Sequence, residues 1–464
     1  MNILIAPNSM KGSLDAPDFA KAVADAFRSV SPVFNLREVP VSDGGDFTGR
    51  VLAEALGARL YTERVADPLG RTIQAEYGIA GRTAIIEMAS ASGFKLISDK
   101  ERNPERCTTH GTGQLIRAAL ERGCTKILLG AGGSATMDGG SGMLEALGFR
   151  LYDADHQLLA GGVPALGRVK QIVPPDGWRA DIEMVVMTDV DNPLLGENGA
   201  AFVFGPQKGA DSRMVAAIES GLENWVSVLE AISGLPVRNL PGAGAAGGLA
   251  TGLVALAGAR IESGADFIFD LLKIDDHIMW ADWILTGEGR ADKQSLSRKA
   301  PEALAQRAAK AGKPVSAVVG SFDEGATGSY AGVFSLCNGP MELEHAMAYA
   351  GDLVRQVACQ AASLLLHSYP GAWKAHRQLG EAEKWVHENR FQEANQVLSL
   401  PELENLASGW YLKGMLEQKR EQWGNALNCY SRSLSIDPGH TQASAAKEMI
   451  QSIISFWNPD IYNP

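Results

Sequence analysis

Short apolar stretches that stop at polar or glycine-containing turns recur at the start of the chain and again between Trp283 and Gly339, and this pattern leaves few architectures open. The run Asn2-Ile3-Leu4-Ile5-Ala6-Pro7 precedes Ala16 to Val30, where Phe19, Val23, Ala26 and Phe27 share one side at helical spacing. A second strand is expected over Asn35 to Val41, stopping at Ser42-Asp43-Gly44-Gly45. Later come Trp283-Ile284-Leu285 before Thr286-Gly287-Glu288-Gly289, a helix over Ala300 to Ala311, Val315 to Val319 before Gly320, and Val333 to Cys337 before Asn338-Gly339. Strand, turn and helix in alternation predict an α/β fold in which both ends share one mostly parallel sheet and the middle is inserted as a second domain. Ligands of such open sheets bind beyond the carboxyl ends of the strands, where these turns lie.

The insert, about Leu60 to Asp282, is glycine-rich and mixes strands (Ala84 to Met88, Ile127 to Leu129, Met184 to Met187) with helices such as Gly113 to Arg122; its topology does not follow from the pattern. After Pro370 glycine becomes sparse and tryptophan recurs at Trp373, Trp385, Trp410 and Trp423. From Ala407 the spacing of Trp410, Gly414, Ala426, Tyr430, Ser433 and Pro438 fits a tetratricopeptide-like helix pair, with a looser copy around Ala382, Trp385, Ala394 and Leu398 and a closing helix over Ala443 to Trp457. The expected domains are 1–62 with 280–370, the insert 63–279, and an all-α tail over 373–464. The tail is expected to be an independent appendage that binds a protein or peptide partner, or to dock through Trp373 and Trp457.

With 45% hydrophobic and 21% charged residues the chain reads as globular. A formal charge of −12 argues against nucleic acid and anionic lipid as partners, and no apolar run approaches the roughly 20 residues that span a bilayer. Five scattered cysteines without a C-x-x-C pair, and no secretion signal at Met1 to Lys11, point to a reducing cytoplasm. The eight histidines form no zinc-like cluster, and neither a Walker loop nor a G-x-S-x-G elbow occurs.

Gly242-Ala243-Gly244-Ala245-Ala246-Gly247 satisfies G-x-G-x-x-G, with Glu262 near the place of a ribose-binding acid, and would make the chain an oxidoreductase. Pro236 and Pro241 leave little room for the strand which that motif must follow. Better site material follows the strands. The small residues Gly130 to Thr136, with Gly132, Gly133 and Ser134, present amides suited to a phosphate or carboxylate, or else form only a tight turn. Thr188-Asp189-Val190-Asp191-Asn192-Pro193 offers two carboxylates suited to Mg²⁺ or to a hydroxyl proton, and is equally ordinary turn chemistry. Lys208, in Phe204 to Gly209, and Arg290, in Gly287 to Asp292, set cations beside glycines.

These segments, with Ile5 to Lys11, Val41 to Gly45, Glu87 to Gly93, Gly111-Thr112-Gly113 and Gly132 to Gly140, resemble in order and spacing the signature segments of the type-1 glycerate kinases from Met1 to about Leu366. The resemblance implies ATP and Mg²⁺, D-glycerate as acceptor, 2-phosphoglycerate in preference to 3-phosphoglycerate as product, and a flavodoxin-like sheet interrupted by a restriction-enzyme-like α/β domain. Expected catalytic residues are Asp189 (base or metal ligand) and Lys11 and Arg290 (charge neutralisers). Ser9, Asp43, Gly44, Gly45, Gly132, Gly133, Ser134, Asp138, Asp191, Lys208, Glu288 and Lys299 are expected to bind substrate or nucleotide, with Mg²⁺ at Asp189 and Asp191, in a cleft between the domains. The chain departs from the family pattern at Asn8 (commonly Asp), Met10 (Phe), Phe47 (Gly), Met137 (Asn), Thr188 (Cys) and Arg298 (Gly). Asn8 removes a potential carboxylate, which bears on substrate choice. A degenerate kinase serving as a repeat-based adaptor is the rival, and the retained charged positions oppose it.

Overall fold

The computed structural model describes residues 1–45, 47–178, 182–291, 299–323, 329–337 and 339–457. The chain forms two compact units. One takes in Met1–Pro40, the chain from Lys273 through the strand Trp283–Ala291, and the chain from Leu304 onward; the other takes in Val41–Leu272 and the short stretch before Leu304.

The first unit is built on a five-stranded, wholly parallel sheet in the order Gly332–Ser335, Val315–Phe322, Trp283–Ala291, Asn2–Ile5, Asn35–Glu38. Numbered along the chain within this unit, the order is 2-1-3-4-5. The helix Ala16–Val30 starts where expected because Asp15 caps it, accepting from Asp18 N at 3.0 Å, and a proline sits in its first turn. It buries Phe19, Val23, Ala26 and Phe27 and packs against Ala350–Ser368. The second strand ends at Glu38, shorter than the expected Asn35 to Val41.

The helices after Pro370 do not stand apart from this unit. Leu379, Val386, Leu398, Leu403, Leu406 and Leu412 continue the apolar core that begins with Ile3, Phe27 and Leu36. Polar bonds stitch the same junction. Asn35, only 2% exposed, donates through Nδ2 to Asn2 Oδ1 (2.8 Å) and Asn405 O (2.7 Å), and its Oδ1 accepts from Ala407 N (3.0 Å). Arg28 reaches Glu38 at 3.0 Å and Asp437 at 3.3 Å, and Ser31 Oγ lies 2.9 Å from His376 Nδ1. Within the tail, Ala407–Lys419 and Trp423–Ile436 pack as a pair. Gly414 leaves the space that the buried Tyr430 ring fills, and Ser433 Oγ donates to Ala407 O at 2.8 Å. Trp373 stacks on His367 and His376, while the Trp457 side chain lies outside the described residues.

The second unit holds a six-stranded mixed sheet in the order Arg260–Ser263, Glu183–Thr188, Lys126–Gly130, Thr83–Glu87, Thr72–Ala80, Arg59–Ala66. The first four are parallel, and the last two form an antiparallel hairpin. Its turn is tied by Asp67 Oδ1, which accepts from Leu69 N and Arg71 N at 2.8 Å each. That hairpin escaped the pattern because Arg59–Ala66 is an edge strand whose side chains are mostly outside the core. A small antiparallel sheet, Leu158–Leu159, Arg150–Tyr152 and Gln171–Val173, adds to the unit. Trp225 anchors the helix Ser212–Ser233 with its ring buried and its Nε1 donating to Gly139 O at 3.0 Å.

Candidate functional site

In the first unit the turn after Asn2–Ile5 runs alongside the end of Trp283–Ala291. Ala6 N donates to Leu285 O and Asn8 N to Gly287 O, both at 2.8 Å, while Thr286 Oγ1 donates to Ala6 O at 2.8 Å. Asn8 Oδ1 accepts from Ser9 N at 2.8 Å, an acceptor role that a carboxylate oxygen would fill equally. Asn8, Ser9, Met10 and Glu288 are buried, whereas Lys11 is exposed beside Gly12, whose φ of +82° is left-handed. A Cβ on Gly289 would meet Met10 Cα at 3.6 Å and Lys11 N at 3.7 Å, so the backbone of the Ser9–Lys11 turn runs against the Glu288–Gly289 stretch. Arg290 points outward and pairs with Asp323 at 3.0 Å, an exposed ion pair that partly offsets its charge. Asp292 and Arg298 lie outside the described residues.

In the second unit three turns meet at the carboxyl ends of adjacent parallel strands. The turn Asp43-Gly44-Gly45 is closed by Gly45 N donating to Asp43 Oδ1 at 3.1 Å. Gly44 is left-handed (φ +92°) and lies against Thr188 N and Gly264 Cα, each 3.1 Å from where its Cβ would be. Gly264 in turn permits the approach of Asp43 O. The point where a Cβ of Gly45 would stand is 2.9 Å from Asp43 Oδ1 and 3.9 Å from Asp189 Oδ2, so two carboxylates flank the same glycine. Asp191 is exposed, further along the same turn. The strands Lys126–Gly130 and Glu183–Thr188 are paired, and Ala131 N donates to Met187 O at 3.0 Å, which sets the Gly132–Ser134 turn next to the Asp189 turn.

That turn has the features of an anion cradle. Gly132 and Gly133 are partly exposed, Gly133 is left-handed (φ +69°), and the amides of Gly132, Gly133 and Ser134 donate to no group among the described residues. Three successive amides without an internal acceptor suit a phosphate oxygen. Ser134 itself faces inward: its Oγ accepts from Lys208 Nζ at 2.7 Å, and Lys208 Nζ also donates to Thr136 O at 2.7 Å. Lys208 is 2% exposed, and burial lowers its pKa to about 7 against the pull of Asp138 and Cys107. Asp138 is fully buried and accepts from Thr109 N (2.9 Å), Thr109 Oγ1 (3.0 Å), Gly140 N (3.1 Å), Gly142 N (3.3 Å) and Thr108 Oγ1 (3.3 Å). Burial pushes its carboxyl up while those donors oppose the rise. Lys208 and Asp138 thus sit behind the turn rather than on its open side.

Two contributors were not singled out from the sequence. Glu87 Oε1 accepts from Gly49 N at 2.7 Å, in the first turn of the helix Thr48–Ala55 beside the Asp43 turn, and Gly264 seats that turn. The small-residue run after Glu87 was the available signal for the first; nothing marked Gly264. Phe47 caps that helix at φ +66°, a left-handed position that explains why glycine is the commoner residue there. Its ring lies under Lys95 Nζ, 4.6 Å from the centroid. The glycines of Gly242–Gly247 serve packing, since Gly244 and Gly247 admit the carbonyls of Pro193 and Thr136, and no strand precedes them. The dinucleotide reading loses its structural context. No group of three or more His, Cys, Asp or Glu arranged for a metal occurs among the described residues, but paired carboxylates beside an anion cradle fit Mg²⁺, which takes one or two carboxylates together with phosphate oxygens.

The family model for the glycerate kinase family matches residues 3–366. A glycerate kinase of Halalkalibacterium halodurans is 39% identical over 77% of this chain and 96% of its own length. A glycerate 2-kinase of Escherichia coli is 40% identical over 70% of this chain and 86% of its own. A crystal structure from Salmonella typhimurium LT2 superposes with a TM-score of 0.70 at 37% identity, covering 79% of this chain and 99% of that one.

Proposed function

Because the chain belongs to the glycerate kinase family and is an ATP-dependent glycerate kinase, we propose that it transfers the γ-phosphoryl of ATP to D-glycerate to give 2-phosphoglycerate, with Mg²⁺ as the accompanying ion. The choice of product rests on the name of the Escherichia coli relative and on the resemblance of the motifs. The observation that carries the site assignment is the meeting of three amides at Gly132–Ser134, without an acceptor among the described residues, with the Asp43 and Asp189 carboxylates at neighbouring strand ends.

Phosphoryl transfer asks a protein mainly for positioning and for charge opposite the equatorial oxygens. The Gly132–Ser134 amides supply fixed dipoles for the phosphoryl group, and they need no reorganisation as negative charge shifts. Asp189 orients the acceptor hydroxyl and takes its proton. Asp43 and Asp189, with Asp191 next along the turn, would hold Mg²⁺, which supplies charge neutralisation at the phosphates. Lys11, exposed next to the left-handed Gly12, is assigned as a charge neutraliser from the resemblance; Arg290, already paired with Asp323, contributes less. Lys299 is assigned to binding from resemblance alone.

The strand order 2-1-3-4-5 supports a flavodoxin-like first unit, and the resemblance of the inserted segments favours a restriction-enzyme-like second one. The helix pairs after Pro370 support tetratricopeptide-like repeats that take a protein or peptide partner. All five cysteines are free and no described helix is long and apolar enough to cross a membrane, in keeping with a cytoplasmic enzyme. The product assignment is tested by NMR of the phosphorylated glycerate. Phosphate on the C2 oxygen supports it, and phosphate on the C3 oxygen overturns it.

A further inference from the structure

We infer that Lys208 is a positioning residue for phosphoryl transfer, bracing the Gly132–Ser134 turn from behind so that its amides stay aimed at the phosphates of ATP. The inference rests on the assignment of that turn as the phosphate cradle. Lys208 follows the helix Ala200–Phe204 in a single 3₁₀ turn, and the left-handed Gly209 (φ +94°) after it turns the chain sharply. Its stem is buried, and its ammonium ends on two points of one loop, Ser134 Oγ and Thr136 O, both at 2.7 Å. A buried cation is costly unless hydrogen-bonded, and these two bonds offset that cost.

The rest of the turn is pinned on its other flank. Phe94 N donates to Gly133 O at 3.0 Å and Ala135 N to Ser92 O at 2.9 Å, which leaves the Ser134 side chain as the point that Lys208 alone secures among the described residues. Removing the brace frees Ser134 and Thr136 to rotate, and the three amides lose their common aim. Because Ser134 Oγ is turned toward Lys208, neither side chain needs to touch ATP for both to matter. The titratable groups facing the ammonium are Asp138, from the loop that follows the turn, and Cys107, ahead of the helix His110–Glu121, whose thiol burial pushes up.

The test is steady-state kinetics of the full chain with ADP release, for the parent, Lys208→Met, Ser134→Ala and the double variant. Lys208→Met is expected to raise KM for ATP by roughly tenfold or more, on the scale of about 1–3 kcal/mol for a buried polar group left unpaired, while KM for glycerate changes less than about twofold on that scale. If Lys208 acts through Ser134, the two substitutions do not add: Ser134→Ala costs much less on the Lys208→Met background than alone. Additive effects, or an unchanged KM for ATP in folded Lys208→Met, overturn the inference. Should Lys208→Met fail to fold, Ser134→Ala alone decides, since an unchanged KM for ATP there removes the brace from the mechanism. A parent protein that releases no ADP with glycerate refutes the kinase assignment instead, which keeps the two failures distinguishable.

Discussion

Replacing Asn35 by alanine tests whether the C-terminal helices are part of the catalytic unit's fold. Asn35 opens the edge strand Asn35–Glu38, and its side chain is nearly fully buried with three hydrogen bonds, to Asn2 Oδ1, Asn405 O and Ala407 N. Two of those partners belong to the tail. At about 1 kcal/mol for each bond lost, and more for a buried partner left unpaired, Asn35→Ala is expected to lower stability by roughly 3 kcal/mol. Urea denaturation followed by circular dichroism reads the loss as a lower midpoint at unchanged slope. Hydrogen exchange locates it: the Ala407 amide, at the start of Ala407–Lys419, loses its acceptor and exchanges faster. Asn35→Asp keeps an acceptor for Ala407 N but loses both donors, so it is at least as damaging as losing those two bonds. A cost below about 1 kcal/mol, with exchange at Ala407 unchanged, would refute the reasoning and restore the tail to an independent appendage.

Asp189→Asn is expected to lower kcat by roughly 10²-fold or more, the scale for losing a proton acceptor, and the same assay on Lys11→Ala gives a comparable drop from lost electrostatic stabilisation; unchanged kcat in a folded variant removes that residue from the site. Gly414→Ala drives a methyl into the buried Tyr430 ring and should cost about 1–3 kcal/mol by thermal unfolding, whereas Gly424→Ala, with open space around it, should cost nothing. Lys208 gives a pH signature. Its folded pKa of about 7 lies below the ordinary 10.5, so between these values the unfolded chain holds more protons and the group's contribution to stability rises with pH. The parent should therefore gain on Lys208→Met by up to about 1.4 kcal/mol per pH unit from pH 7 upward, and a pH-independent difference would refute the lowered pKa.

Much of this was legible because it is local. The helix Ala16–Val30 was readable from the spacing of Phe19, Val23, Ala26 and Phe27 alone, and the structure adds the Asp15 cap and first-turn proline that fix its start. The central strands Thr83–Glu87, Lys126–Gly130 and Glu183–Thr188 showed as continuous apolar runs because both their faces are covered. What stayed hidden depends on pairing at a distance. Nothing near Asn35 announces that its amide meets Asn405 and Ala407, and nothing near Lys208 announces Ser134. Asp138 was read as a ligand-binding residue on motif alone, yet it is fully buried and fully engaged with Thr108, Thr109, Gly140 and Gly142, a role that burial reveals and spacing does not. Phe47 shows the reverse: its departure from glycine was visible in the sequence, and the left-handed backbone supplies the physical reason.

The most direct test of the central claim is coupled ADP release by the purified full chain with D-glycerate, ATP and Mg²⁺. The structure and its family predict glycerate-dependent turnover that is lost when Mg²⁺ is chelated and strongly reduced in Asp189→Asn. No ADP release with D-glycerate or any other small hydroxy acid would contradict it.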